Sequence, residues 1–280
     1  MQFECRTPAA IADTLTTDIC VKKTHFIFYK LFILGILAGV YIGFGAELAT
    51  MVGHDVAKYM GVGMAKLIMG AVFSVGLMLV VIAGAELFTG NNLIFLSVLD
   101  KRAPVWRLFY NWIVVYIANL IGSLLLVILM YWSGLWKTNG YLVGATALKI
   151  ANAKVNLSFL EAFARGVGCN WLVCLAVWIA FSARQTIGKI FAIFFPIMAF
   201  VASGFEHSVA NMYFIPMGMF LKNIPHVVAA AGYPDLSNLN MYGFWVRNEL
   251  PVTLGNMVGG AFFVAMLYWI VYIWRERKIA

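Results

Sequence analysis

Three ionisable residues in apolar surroundings mark the places where this chain could do chemistry. Glu86 and Glu206 each interrupt a long apolar run, and His207 directly follows the second glutamate. Ionisable side chains are expensive to hold among apolar groups inside a membrane, so such residues are candidates for function. A histidine side chain can titrate near neutral pH, so His207 could exchange a proton with a weak acid. We therefore predict a functional role for His207.

The two glutamates have a structural interpretation that the sequence favours over a role in substrate binding. Each lies in a Gly-x-Glu sequence with an asparagine five residues later, at Asn91 and Asn211. This symmetric placement predicts that Glu86 and Glu206 cap backbone N–H groups that are freed where a helix breaks. His207 has no equivalent in the first of the two sequences, where a leucine takes its place.

The elements that hold these residues are predicted to cross a lipid bilayer. Of 280 residues, 63% are hydrophobic and 11% are charged, against roughly 25% charged residues in soluble proteins. This composition excludes cytosolic enzymes and nucleic-acid-binding modules. Four apolar runs fit one transmembrane helix each, and two, 67–99 and 190–221, are too long for one span and too short for two. The other four are 31–49, 108–136, 166–183 and 250–274.

The chain is predicted to contain an inverted internal repeat. The Glu and Asn positions of the two overlong runs are 120 residues apart, and Asn111 and Asn119 recur 137 residues later as Asn248 and Asn256. Because each repeat holds three spans, the second copy must enter the membrane from the opposite side. The predicted fold is an all-α polytopic membrane protein with six transmembrane helices, two of them discontinuous, in an aquaporin-like 3+3 arrangement.

The predicted organisation follows from the spans and from the charges between them. We expect a cytoplasmic segment at 1–30, a membrane domain at 31–274 and a short basic tail at 275–280. The repeats are expected at about 31–136 and 160–274. Alternating the sides of six spans puts 12 of the 20 basic residues on one face. The positive-inside rule then predicts that both termini are cytoplasmic.

Four segments make the chain similar to a known family. They read VIAGAELFTG (81–90), GCNWLVCLA (168–176), ASGFEHSVANM (202–212) and PVTLGN (251–256). On these segments the chain resembles the formate/nitrite transporter family of pentameric, aquaporin-like anion channels. The resemblance implies a homopentamer in the inner membrane, with a pore in each protomer.

The resemblance also implies roles for individual residues. Thr89 and His207 would form the pore centre and a proton relay. Lys154 would attract anions at the external vestibule, although the sequence alone favours a solvated surface lysine there. Asn170, Asn211 and Asn256 would border a polar path. Phe73 and Leu77 would form the cytoplasmic constriction, and Leu87, Phe88 and Phe200 the periplasmic one.

The sequence therefore predicts a channel for a small monovalent weak-acid anion, with formate ranked before nitrite and hydrosulfide. The anion could pass charged, or as the neutral acid formed at His207. A proton-coupled carrier, a neutral-solute channel and a membrane-embedded enzyme are the alternatives, although the Asn-Pro-Ala motifs of aquaporins are missing. No sequence motif indicates a catalytic residue, a cofactor, a metal site or a nucleic-acid partner. The lipid bilayer and the small anion are the expected partners.

Overall fold

The regular secondary structure of this protein is helical. In the computed structural model, which describes residues 5–274, the one exception is an isolated β-bridge between Cys5 and Ala183. The predicted basic tail, 275–280, lies outside the described residues. The main helices are α1 (Pro8–Thr14), α2 (Cys20–Thr24), α3 (Phe28–Gly53), α4 (Val56–Gly84), α5 (Gly90–Leu99), α6 (Val105–Ser133), α7 (Leu142–Val155), α8 (Phe159–Ser182), α9 (Thr186–Ala202), α10 (Ser208–Leu221), α11 (Pro225–Ala230) and α12 (Gly243–Trp274). A π-helical turn (Leu15–Ile19) joins α1 to α2, and a 3-10 turn (Leu135–Lys137) precedes α7.

These helices confirm the predicted polytopic fold with two discontinuous spans. Within the described residues, five helices are long and apolar enough to cross a membrane: α3, α4, α6, α8 and α12. The predicted span 67–99 consists of α4 and the short α5, and the predicted span 190–221 consists of α9 and α10. Helix α4 begins at Val56, well before the predicted start of its apolar run, because it continues through Lys58 and Lys66.

Both discontinuous spans break at a glycine with a positive φ angle. Gly84 has φ of 95° and Gly204 has φ of 76°, a conformation that residues with a Cβ adopt only under strain. Just beyond each glycine the backbone closes a wide turn. The N–H of Ala85 bonds to the carbonyl of Val80 at 2.9 Å. The corresponding bond in the second break, from residue 205 to residue 200, is 3.1 Å long.

Small residues let the spans of each repeat approach closely. Gly35, Gly39 and Gly43 lie on the face of α3 that packs against α6, as their spacing predicts. A Cβ at Gly39 would collide with the backbone carbonyl of Asn119, which cannot move aside easily. The contact recurs in the second repeat, where Gly259 packs against the backbone of α8. Such contacts give transmembrane helices their close packing.

Replacing Gly39 with alanine is expected to destabilise the protein. The added methyl group has no room, and overpacking of this kind costs roughly 1–3 kcal/mol. Thermal unfolding in detergent, followed by tryptophan fluorescence, should show a lower Tm. Gly63→Ala is the matched control, because a Cβ there meets no atom within 4 Å. Equal Tm values for the two variants would contradict the packing argument.

Candidate functional site

Two cavities reach the two helix breaks. The first, of about 360 Å³, contains Lys23 and Glu86, and we call it the Lys23 cavity. The second, of about 350 Å³, contains Lys154, Glu206 and His207, and we call it the Lys154 cavity. The two cavities therefore approach the loops between α4 and α5 and between α9 and α10, which are the polar interruptions of an otherwise apolar region.

Each cavity holds a lysine that is paired with the glutamate of the nearer break. The Nζ atom of Lys23 lies 2.8 Å from Oε1 of Glu86, and that of Lys154 lies 2.9 Å from Oε1 of Glu206. Both carboxylates are 6% exposed. A carboxylate this deep needs a positive partner, and in each cavity a lysine supplies it.

Asparagines complete the two ion-pair networks in the same way. In the first break, Asn91 donates to Oε2 of Glu86 and to Oδ1 of Asn111, both at 2.8 Å. In the second, Asn211 donates to Oε2 of Glu206 at 2.8 Å and to Asn248 at 2.7 Å. The second asparagine of each network also bonds to the backbone of the lysine. Asn111 donates to the carbonyl of Lys23, and Asn248 donates to the carbonyl of Lys154.

The prediction that Glu86 and Glu206 cap backbone N–H groups is wrong. Their oxygens accept from lysine and asparagine side chains. The freed backbone is instead paired with Asn119 and Asn256. Asn256 accepts the N–H of Ser208 at 2.9 Å and donates to the carbonyls of residues 166 and 206. A carboxamide suits this position because it both accepts and donates, whereas a carboxylate only accepts.

The polar path predicted at Asn170, Asn211 and Asn256 does not coincide with either cavity. All three side chains are fully buried, and none of them lines either cavity. Asn170 donates to the backbone carbonyls of Thr89 and Asn256, at 3.2 and 2.7 Å. Asn170 and Asn256 position the break loops, because neutral backbone groups exposed by a broken helix need neutral partners. Asn211 instead belongs to the Glu206 network.

Replacing Asn256 with leucine is expected to prevent stable assembly. The change removes the partner of the Ser208 N–H and of the Glu206 carbonyl, and each unpaired buried group costs about 1–3 kcal/mol. The measurement is the yield of folded protein by size-exclusion chromatography, together with Tm. Asn156→Leu is the control, since that side chain is exposed and water replaces its bonds. Normal yield and Tm for Asn256→Leu would refute the positioning role.

Thr89 and His207 meet between the two breaks, as predicted. The Oγ1 atom of Thr89 lies 2.9 Å from Nε2 of His207, and both side chains are buried. The Nδ1 atom of His207 accepts the backbone N–H of Ala210 at 3.1 Å. A neutral imidazole that accepts at Nδ1 carries its proton on Nε2, so His207 donates to Thr89. The hydroxyl proton of Thr89 then has no acceptor among the described residues and is free for a bound anion.

The apolar residues predicted as constrictions are grouped differently from the prediction. Phe73 and Phe200 form an edge-to-face pair, with ring centroids 5.6 Å apart, and both line the Lys154 cavity. Leu77 and Leu87 line the Lys23 cavity. The assignment of Phe73 and Leu77 to one constriction is therefore wrong, since residues four apart on α4 point into different cavities.

Phe88 does not line either cavity. Its ring packs against Trp112 and Tyr116, with centroids 6.2 and 5.1 Å away, and its N–H bonds to Asn119. The constriction predicted at Phe88 therefore has no support in the structure, because the N–H bond anchors this residue toward α6.

The sequence analysis missed Lys23, Asn119 and Arg165 as site residues. Leu34 and Arg165 occupy equivalent places, because their carbonyls accept the N–H groups of Glu86 and Glu206. They are 131 residues apart, and so are Lys23 and Lys154. Aligning the first spans of the two repeats would therefore have revealed Lys23. Among residues 5–274, no three His, Cys, Asp or Glu side chains are grouped as metal ligands.

Comparison with known proteins gives the same family across the chain. A family model described as "Formate/nitrite transporter" matches residues 11–270. A "Probable formate transporter" of Methanothermobacter thermautotrophicus is 47% identical over 259 residues, 87% of this chain and 89% of that protein. "Formate channel FocA" of Escherichia coli (strain K12) is 39% identical over 281 residues, 98% of this chain and 97% of the other.

Solved structures agree with the sequence comparison. A "Pentameric formate channel with formate bound" matches with a TM-score of 0.78 and 42% identity, over 88% of this chain and 98% of that chain. An "FNT family ion channel" matches with a TM-score of 0.73 and 29% identity, over 94% of this chain and 95% of that one.

Proposed function

Because this chain belongs to the formate/nitrite transporter family, we propose that it is a multi-pass membrane channel that carries formate without converting it chemically. The observation that carries the proposal is the pair of lysine-containing cavities that approach a shared polar contact, Thr89–His207, from the two helix breaks. Relatives that cover almost the whole chain are named formate channels, and a solved neighbour has formate bound.

The cavities account for anion entry and for exclusion of cations. Lys23 and Lys154 raise the local concentration of small anions by electrostatic attraction. Beyond them, Leu77 and Leu87 on one side and Phe73 and Phe200 on the other present apolar surface. A bare anion loses much of its hydration there, so the barrier is lower for a weakly hydrated or neutralised species.

The Thr89–His207 pair supplies the polar centre of the path. In the resting state it offers the anion a hydrogen bond from the hydroxyl of Thr89. Full protonation of formate requires a relay of three proton transfers. Thr89 gives its hydroxyl proton to the anion, His207 gives its Nε2 proton to Thr89, and at the same time Nδ1 of His207 takes up a proton from a hydronium ion, which becomes water. That last step displaces the N–H of Ala210, so proton transfer costs a backbone hydrogen bond, whereas conduction of the anion does not.

The assembly and orientation that we propose are a homopentamer in the inner membrane with both termini in the cytoplasm. The Lys154 cavity then opens to the outside. Apolar side chains on the spans support lipid and protomer contacts, for example Ile113, which is 59% exposed, and Leu129, which is 54% exposed. We also propose that the first repeat includes α2, which bears Lys23, that the second begins with α7, which bears Lys154, and that the membrane domain continues to 274.

Flux measurements on purified protein in liposomes test this function. Uptake of formate, nitrite and hydrosulfide should be measured side by side, together with swelling in glycerol. We expect formate to enter fastest and glycerol to enter no faster than into empty liposomes. Formate entry at the rate of empty liposomes, or rapid glycerol entry, would overturn the proposal in favour of another transported solute.

A further inference from the structure

The two cavities differ in charge although their architecture is repeated. The Lys23 cavity is lined by two lysines and one glutamate. The Lys154 cavity is lined by two lysines, one arginine and one glutamate. The glutamate neutralises one lysine in each case. The Lys154 cavity therefore has one more uncompensated positive charge than the Lys23 cavity, and that charge comes from Arg165.

Arg165 occupies a position that the repeat fills with an apolar residue on the other side. The carbonyl of Arg165 accepts the N–H of Glu206 at 3.2 Å, and the carbonyl of Leu34 accepts the N–H of Glu86 at 3.1 Å. In both breaks, a backbone carbonyl therefore pairs with the N–H of the glutamate. The arginine side chain is therefore not needed to hold the break together, because leucine supports the equivalent break without it.

The guanidinium group of Arg165 is available for a ligand. It makes no ion pair within 4.0 Å and no side-chain hydrogen bond within the part of the chain that the structure describes. Glu161, one helical turn earlier, interacts electrostatically with Arg165 but does not pair with it. Its carboxylate instead accepts the N–H and the hydroxyl of Ser158 in the cap of α8, at 2.9 and 2.7 Å. Glu206 is already paired with Lys154.

We propose that Arg165 makes the Lys154 cavity a binding site for a small carboxylate, present on this side of the channel only. The substrate binds there before it passes the apolar residues. The inference rests on the proposed function. A guanidinium presents two parallel N–H groups to the two oxygens of a planar carboxylate, which an ammonium group does not. Lys66, exposed and lining the same cavity, adds to the attraction.

A binding site at one end of a passive channel leaves a kinetic signature. Uptake from the side that carries the site saturates at a lower concentration, so its KM is lower. Its maximal rate is lower by the same factor, because without a voltage or gradient the ratio of maximal rate to KM must be equal in both directions. Leu34 gives the opposite cavity no such site, so the two sides of the channel should differ.

The test uses right-side-out and inverted vesicles prepared from the same cells, with initial formate uptake measured against concentration. For the unchanged protein we expect a lower KM from the Lys154 side. Arg165→Leu should raise KM from that side by at least about threefold, the effect of losing one partly exposed charge-assisted contact. Leu34→Arg should lower KM from the opposite side. Lys149→Leu, which removes an exposed charge outside the cavity, should change neither value.

The outcomes separate this inference from the function on which it rests. If the unchanged protein carries no formate, the proposed function fails. If it carries formate with the same KM from both sides, or if Arg165→Leu and Lys149→Leu behave alike, the carboxylate site fails and the channel stands. The Tm and the assembly state of each variant show that it is folded.

Discussion

Replacing His207 with phenylalanine is expected to reduce formate flux by roughly 10- to 100-fold, the effect of losing one hydrogen bond to a charged group, worth about 1.5–3 kcal/mol. Phenylalanine fills the space of the imidazole but provides no donor for Thr89 and no acceptor for the N–H of Ala210. The Thr89 hydroxyl then loses the donor that orients it, so an anion that reaches the centre no longer finds a positioned hydrogen bond there. Radiolabelled formate uptake into liposomes, measured across a range of pH, gives the result.

A second substitution at the same position separates hydrogen bonding from proton transfer. Glutamine keeps an N–H donor for Thr89 but has no group that titrates. If a hydrogen bond is sufficient, His207→Gln retains most of the flux and loses its pH dependence. If formate must be protonated, both variants fall to the same level. Uptake by His207→Phe that equals that of the unchanged protein in rate and in pH dependence would rule out any role for this residue.

Replacing Lys154 with methionine is expected primarily to destabilise the folded protein, and only secondarily to affect transport. The carboxylate of Glu206 is 6% exposed and would lose its ion-pair partner. Breaking a buried pair from one side costs about 3–5 kcal/mol, a large part of a typical folding free energy. We expect a lower Tm and less assembled protein. Lys149→Met, at an exposed position on the same helix, should be unaffected.

A double variant shows whether Lys154 also attracts anions. Lys154→Met combined with Glu206→Gln removes both charges, and the glutamine oxygen still accepts from Asn211. We expect Tm to recover, because residue 206 no longer carries a buried charge that lacks its ion-pair partner. Formate uptake from the Lys154 side should remain low, because the attracting charge is gone. Full recovery of both Tm and uptake would show that the lysine is structural only.

The sequence was sufficient to predict the spans, the two breaks and the contact between Thr89 and His207. Apolar runs of a length set by the bilayer, with a Gly-x-Glu interruption in each long run, identify discontinuous helices. Their facing arrangement follows from the inverted repeat. The Thr89–His207 contact, at 2.9 Å, followed from family resemblance, because the two residues are 118 positions apart and nothing in their spacing joins them.

The partners of the buried groups could not be predicted, because they come from distant parts of the chain. Lys23 looked like a surface residue in a polar segment, yet it pairs with Glu86 across 63 positions. Asn119 marked the repeat in the sequence, but only the structure shows that it holds the first break. Phe73 and Leu77 lie one turn apart on the same face of α4, so the cavity that each one lines depends on how far each cavity reaches along the helix, which periodicity does not reveal.

The most direct test of the central claim is whether formate passes through the Lys154 cavity of each protomer. Ala153 lines this cavity and is exposed, so Ala153→Cys can be labelled with a charged, membrane-impermeant thiol reagent. Cys5→Ser removes the one exposed native thiol of the described residues, and Ser237→Cys, in an exposed loop outside the cavity, is the control. Complete labelling of the Ala153→Cys protein should reduce formate uptake to the rate of empty liposomes, whereas labelling of the control should not. Unchanged uptake after complete labelling at Ala153→Cys would contradict the account.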